Sequence, residues 1–305
     1  MPCDPLDLSR LQPVLPSPLQ PVEDERFDRH GIQLLLKRDD LIHPDLPGNK
    51  WRKLALNLAA AAGRTVLTFG GAYSNHLRAT AAAGRLLGFP TVGVVRGDEL
   101  AGRPLNPSLT QCARDGMRLH FVDRATYRAK TDPTALEGLL SAYGACCVIP
   151  EGGSNALAAQ GCTALGRELH GLADVVAVAC GTGGTLAGLA AGLAPGQRAL
   201  GIPVLRGGFL GDAVRQLQRE AFGGTSGVWS LDERFTFGGY ARTTPELHAF
   251  ADDFEDRHGL PVERLYVAKL LYGLTVLARE GAFAPGTRLV AVVTGQPWGA
   301  SESSR

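Results

Sequence analysis

Short apolar runs alternate with helical patterns along most of this 305-residue chain, and glycine-rich loops follow several of the runs. Runs at Thr65–Phe69, Thr91–Val95, Leu119–Val122 and Cys146–Ile149 are separated by helical patterns at His76–Leu87, Ser108–Arg114 and Thr134–Tyr143. Ahead of them, Ile32–Lys37 reads as a strand, and a helix starts near Lys50 with Trp51, Leu54 and Leu58 on one face. The alternation resumes with Val175–Ala179, a helix from Thr185, a strand near Ala199–Leu205 and a last strand at Arg288–Val293. Gly88 and Gly116 stand where helix C-caps belong, and Thr244-Pro245 opens a helix that Gly259 ends. Such alternation predicts βαβ units and parallel sheets. With no linker long enough to separate independent modules, two interlocked α/β domains with a cleft between them are expected. Ligands in such folds sit at the carboxyl ends of strands, so the loops after strands are where chemistry is to be sought. The proline-rich first stretch is expected to run irregularly over the surface.

Composition removes several function classes. Lys plus Arg is 31 against 30 for Asp plus Glu, which gives no electrostatic reason for a nucleic-acid or anionic-membrane partner. Val175–Ala194 carries no charge, but its five glycines divide it, and it reads as strand, loop and helix rather than a membrane span. The N-terminus has no apolar run fit for a signal peptide, and a cytoplasmic location is expected. The six cysteines contain no Cys-x-x-Cys pair, so neither a zinc site nor a disulfide framework is suggested. No histidine pair has metal-ligand spacing.

Four loops remain, each with a plain alternative. Cys180-Gly181-Thr182-Gly183-Gly184-Thr185 joins a strand to a helix. Glycines let backbone N–H groups converge there on an anion such as phosphate, although a tight turn has the same composition. It is neither a dinucleotide fingerprint nor a P-loop, since Leu186 takes the third glycine's place and no Gly-Lys-Ser/Thr follows. Gly48-Asn49-Lys50-Trp51-Arg52-Lys53 leads a lysine into a helix start. Burial or the neighbouring cations Arg52 and Lys53 would keep Lys50 nucleophilic, or the segment is a solvated basic turn. Gly70-Gly71-Ala72-Tyr73-Ser74-Asn75-His76 is either a carboxylate cradle or an ordinary Ser/Asn cap. Glu151-Gly152-Gly153-Ser154-Asn155 is a turn or a cofactor-facing loop. Further on, Tyr240 and Tyr266 are candidate proton donors or ring-stacking walls, and Thr294 ends the last strand.

Taken in order, these segments resemble the 1-aminocyclopropane-1-carboxylate deaminase/D-cysteine desulfhydrase family, from KRDDLIHPDLPGNKWRKL through FGGAYSNH, PEGGSN and GTGGT to the closing Thr294-Gly295. The resemblance spans about Lys37 to Gly295. It implies a pyridoxal 5'-phosphate (PLP) enzyme of fold type II, similar to the tryptophan synthase β subunit. The architecture is then two-domain, three-layer α/β/α with mostly parallel sheets. The implied division is 1–46 plus 157–305 as the cofactor domain and 47–156 as the substrate-loop domain. Residue by residue, Lys50 becomes the Schiff-base lysine, Ser74, Asn75 and His76 substrate contacts, and Asn75 also the partner of the cofactor's ring hydroxyl. Gly181, Thr182, Gly183, Gly184 and Thr185, helped by Lys53, become the phosphate loop. Tyr240 and Tyr266 become active-site tyrosines and Thr294 the neutral partner of the pyridine nitrogen.

One position departs from the family. The residue after the second tyrosine is glutamate in the deaminase branch and a small hydroxyl residue in the desulfhydrase branch, whereas here it is Val267. Without a carboxylate at the ring nitrogen the electron sink is weaker, which argues against opening a cyclopropane ring. The expected activity is therefore elimination from a small amino acid such as D-cysteine, by a homodimer. Ring-opening deamination, a PLP-binding protein without catalysis and a nucleotide-binding oxidoreductase are the alternatives.

Overall fold

The computed structural model describes residues 6–46 and 48–296. Its strands are β1 (Leu19–Val22), β2 (Gln33–Lys37), β3 (Thr65–Gly70), β4 (Thr91–Arg96), β5 (Arg118–Val122), β6 (Cys146–Ile149), β7 (Val175–Cys180), β8 (Arg198–Pro203), β9 (Trp229–Leu231) and β10 (Arg288–Val292). They form a six-stranded sheet in the order β1-β2-β10-β7-β8-β9 and a four-stranded sheet in the order β5-β4-β3-β6. Every pairing is parallel except β1 against β2. The helices are α1 (Glu25–Asp28), α2 (Lys50–Ala61), α3 (Asn75–Leu87), α4 (Pro107–Arg114), α5 (Arg124–Arg128), α6 (Pro133–Ser141), α7 (Ala156–Arg167), α8 (Gly184–Gly192), α9 (Leu210–Phe222), α10 (Pro245–His258) and α11 (Val267–Arg279).

Each sheet is the middle layer of three. Successive strand residues point to opposite faces. Ala177, Leu289 and Ala291 therefore pack against Leu247 and Phe254 of α10 and Leu270 and Leu274 of α11. Val176, Val178, Val290 and Val292 pack the other way, against α7, α8 and α9. In the smaller sheet Val66 and Ile149 meet α2 and α3, while Leu67, Phe69, Val92 and Val94 meet Tyr127 of α5 and Leu139 of α6. All six residues of β7 are buried, the mark of a parallel strand covered on both faces. The α/β/α, mostly parallel architecture expected from the sequence is the one observed. Val175–Ala194 is strand, loop and helix, and no described helix is long and apolar enough to cross a membrane.

One local expectation needs correcting. The proline-rich start is not wholly irregular, because β1 pairs antiparallel with β2. As an edge strand it tolerates Pro21, which has no N–H to donate. Helix α7, after Asn155, was not among the helical patterns expected; its buried face, Ala158, Ala159, Cys162, Leu165 and Gly166, consists mostly of small residues that let its neighbours approach. A Cβ on Gly188 of α8 would lie 2.1 Å from the Ala159 carbonyl oxygen, so only glycine permits that contact.

Loops after β3, β6, β7 and β10 all open at the carboxyl ends of their strands. They line one cavity of about 710 Å³ together with the start of α2.

Candidate active site

The lysine segment is fixed by backbone contact with the end of β10. Gly48 has φ +62°, and a Cβ there would lie 1.5 Å from the Thr294 carbonyl oxygen. The next residue, Asn49, donates its N–H to that same oxygen at 3.2 Å. Its side-chain Nδ2 donates to Thr185 Oγ1 at 2.8 Å, tying α2 to the loop after β7. Lys50 then projects onto the cavity wall, where Nζ donates to Asn49 Oδ1 at 3.2 Å. Burial lowers the Lys50 pKa to about 8; the Arg78 cation acts in the same direction and Glu263 opposes it.

One helical turn on, Lys53 is more deeply placed, with 3% of its surface exposed. Its Nζ donates to the Gly152 carbonyl and to Ser154 Oγ, the latter at 2.7 Å. Burial first and the charge of Lys50 second push its pKa down to about 7. Ser154 Oγ is also hydrogen-bonded to Thr182 Oγ1, so the loop after β6 is latched to the loop after β7. In that second loop Gly183 has φ +81° and stands at the N-cap of α8, with no side chain capping the helix. The first-turn N–H groups of α8 and the ammonium of Lys53 thus bound one pocket of positive potential.

Across the cavity, Ser74 caps α3 by accepting the Leu77 N–H at 3.3 Å, which is the plain alternative for this residue. That bond uses an acceptor lone pair and leaves its O–H free to donate. Asn75 Oδ1 accepts from Arg78. The His76 ring is buried and meets Thr68 Oγ1 at 2.7 Å, and burial holds it neutral, so it faces the smaller sheet. Tyr240 and Tyr266 come together edge to face with centroids 6.2 Å apart. Burial raises both phenols, which stay protonated at neutral pH.

Every residue singled out in the sequence, from Lys50 and Lys53 through Ser74, Asn75, His76 and Gly181–Thr185 to Tyr240, Tyr266 and Thr294, lines this cavity. Arg52 is the exception to the reasoning. It was expected to depress Lys50, but its guanidinium points away and is held by Asp39 and Glu168. Sequence reasoning also missed Arg78, Glu263 and Lys269. Glu263 lines the cavity and accepts the N–H groups of Leu265, Tyr266 and Val267, capping α11 at the position of a tyrosine. Lys269 is fully buried and donates to the carbonyls of Thr236 and Gly239 at 2.9 Å each, which pins the loop carrying Tyr240. An acidic residue just before an apolar helical run was a legible cap signal for Glu263.

An amine kept close to neutrality, an anion pocket at a helix start and a tyrosine pair on one cavity are the equipment of a cofactor enzyme acting on a small molecule. Residues 11–295 match the family model described as pyridoxal-phosphate dependent enzyme. The chain is also 31% identical over 280 residues to a provisionally named 1-aminocyclopropane-1-carboxylate deaminase of Pyrococcus horikoshii, covering 87% of this chain and 85% of that protein. It is 29% identical over 293 residues to the bifunctional D-cysteine desulfhydrase/1-aminocyclopropane-1-carboxylate deaminase, mitochondrial, of Arabidopsis thaliana, covering 87% and 73%. A crystal structure of a 1-aminocyclopropane-1-carboxylate deaminase homologue superposes with a TM-score of 0.78 at 28% identity, covering 92% of this chain and 89% of that one. The chain belongs to the pyridoxal-phosphate dependent enzymes, in the 1-aminocyclopropane-1-carboxylate deaminase/D-cysteine desulfhydrase family. Its cofactor is PLP, and the donor set fits that molecule: an amine for an aldehyde, and helix N–H groups with a lysine for a phosphate.

Proposed function

We propose that this enzyme is a lyase of D-cysteine desulfhydrase type, converting a small amino acid and water to pyruvate and ammonia with release of the β-substituent. From cysteine the third product is hydrogen sulfide. The observation that carries the reading is the pairing of Lys50 with the Lys53–α8 pocket. Two amines, Lys53 buried and Lys50 half-buried, lie on one helix, and neither is paired with a carboxylate among the described residues.

In this reading Lys50 Nζ takes the aldehyde carbon of PLP, and Gly181 to Thr185 with Lys53 take the phosphate. Asn75 faces the ring hydroxyl and Thr294 the ring nitrogen. When bound, PLP supplies an electron sink for charge developing at the α-carbon. The chain's residues do the rest. The start of α3 at Ser74, Asn75 and His76 orients the substrate carboxylate through backbone N–H groups and the Ser74 hydroxyl. Lys50 Nζ, neutral above about pH 8, accepts the α-proton. Tyr240 and Tyr266, both protonated at neutral pH, donate to the departing group and shield it from water.

Elimination is preferred to ring opening on the strength of Val267. Its side chain is 2% exposed and packs into the core beside α10 and α11 rather than into the cavity. Glu263 does not substitute for the missing carboxylate, since both its oxygens are taken by backbone N–H groups. The names of the relatives favour ring opening to 2-oxobutyrate and ammonia equally. The test is to load the protein with PLP, record its visible band, and assay keto acids with D-cysteine, L-cysteine, D-serine and 1-aminocyclopropane-1-carboxylate. Pyruvate from D-cysteine is expected. Product from the cyclopropane substrate alone would transfer the assignment to the deaminase, and no keto acid from any of them would defeat both.

A further inference from the structure

We propose that Arg78 is a positioning residue that fixes the side-chain amide of Asn75, so that Asn75 presents its Nδ2 donor, and never its oxygen, to the ring of PLP. The inference rests on the functional reading above and adds a residue to it.

Asn75 is the first residue of α3, and Arg78 lies three residues on, where side chains of a helix meet. A guanidinium has five donors and no acceptor. The atom of Asn75 that faces Arg78 Nη2 must therefore be Oδ1, as observed. That contact decides the orientation of an amide whose two ends are otherwise nearly equal in shape. Nδ2 is left at the opposite end. It lies 3.9 Å from where a Cβ on Gly295 would be, beside Thr294 at the end of β10. Both residues line the cavity.

The direction matters because the oxygen on the PLP ring is a phenolate acceptor. An Nδ2–H donor attracts it, whereas a flipped Oδ1 would set two acceptors against each other. Arg78 is suited to hold the amide. Burial lowers its pKa only to about 10, so it stays charged at neutral pH, and Glu263 lies within electrostatic reach.

The test measures PLP affinity by equilibrium dialysis and by the visible band, in the full-length protein. Arg78→Gln, whose amide donates or accepts, is expected to weaken PLP binding about tenfold or more, the usual scale for a hydrogen bond to a charged group. Arg78→Lys, again donor-only, should restore most of it. In an Asn75→Ala background the Arg78→Gln change should cost much less, because the amide it orients is gone and only its charge near Lys50 is lost. Asn75→Asp keeps the pairing with Arg78 but has no donor, and should bind PLP as weakly as Asn75→Ala. Equal losses from Arg78→Gln with and without Asn75 would overturn the proposal, as would tight binding by Asn75→Asp, which serves if Arg78→Gln does not fold. Failure of the unaltered protein to show the band is a different result, and would defeat the functional reading instead.

Discussion

Helix α2 carries two buried cation clusters a few residues apart, and they are built in opposite ways. Around Arg52 every charge is answered. Its guanidinium donates to both oxygens of Asp39 at 2.8 Å and to Glu168 at 2.8 and 2.9 Å, and Glu168 also pairs with Lys37 at 2.7 Å. Ser17 Oγ completes the cluster by donating to Asp39 at 2.7 Å. Around Lys50 and Lys53 the partners are a carbonyl, a hydroxyl and an amide oxygen, and both pKa values fall. A cluster saturated with carboxylates has nothing left to bind and serves as scaffold. A cluster that buries cations without counter-charge holds free energy that an anionic ligand recovers.

The largest effect should come from emptying the second cluster of its nucleophile. Lys50→Ala is expected to abolish the visible band of bound PLP and reduce turnover to background. Its thermal unfolding without cofactor should stay close to that of the unaltered protein, since no ion pair is lost. A variant that kept both band and turnover would refute the assignment of Lys50.

Breaking the first cluster should do the reverse. Arg52→Met strands Asp39 and Glu168 in the interior and should cost about 3–5 kcal/mol of stability, read from denaturant midpoints. Lys53→Met, on the next residue, removes a cation that the fold disfavours. It should leave the cofactor-free protein as stable or more so, and weaken inorganic phosphate and PLP binding. Equal destabilisation by the two variants would erase the distinction between the clusters.

That distinction was half legible in the sequence. Lys53 stands three residues from Lys50 and shares its face of the helix, while Arg52, two residues on, is turned well away from it. Helical periodicity alone would have excluded Arg52 as a neighbour of Lys50, had it been applied to cations as it was to Trp51, Leu54 and Leu58. Buried strands such as β3, β4 and β7 were readable because burial on both faces leaves uninterrupted apolar runs closed by glycine loops. Helix α7 was harder to read, because its buried face is mostly Ala, Cys, Thr and Gly, whose small side chains make the helical periodicity faint to the eye. Lys269 was illegible for a different reason, since its carbonyl partners Thr236 and Gly239 lie far away along the chain. Arg78 and Glu263 act locally, on Asn75 three residues back and on the N–H groups that open α11, so helical spacing and cap position did carry a signal for them.

Smaller in size, but diagnostic in sign, is the dependence of stability on pH. Lys53 and Lys50 titrate near 7 and 8 in the folded protein and near 10.5 when unfolded. Between about pH 7 and 10.5 the unfolded chain therefore binds more protons than the folded one, and stability should rise with pH across that window. Below pH 7 both states hold the protons and the dependence from these groups should vanish. Saturating inorganic phosphate, which favours charged Lys53, should flatten the rise. Denaturant midpoints for the unaltered protein and Lys53→Met, with and without phosphate, read this directly; parallel curves would mean that Lys53 is not a depressed lysine.

The smallest contrast uses the two serines that serve the clusters. Ser17 Oγ donates to Asp39 and accepts from Arg52 at 3.1 Å, while Ser154 Oγ accepts from Lys53 at 2.7 Å and meets Thr182 across the loop latch. Ser17→Ala should cost about 1 kcal/mol with or without PLP, as loss of a scaffold hydrogen bond does. Ser154→Ala removes one of two acceptors of Lys53, which with a pKa of about 7 sheds its proton at higher pH and keeps the Gly152 carbonyl, so above pH 7 the cost without cofactor should be smaller. With PLP bound the latch orders the loop that meets the phosphate, and the cost should grow. Melting temperatures of the two variants in both states measure it. A Ser154→Ala cost that ignores the cofactor would make the latch part of the scaffold, and would move the boundary between the two clusters to the far side of Lys53.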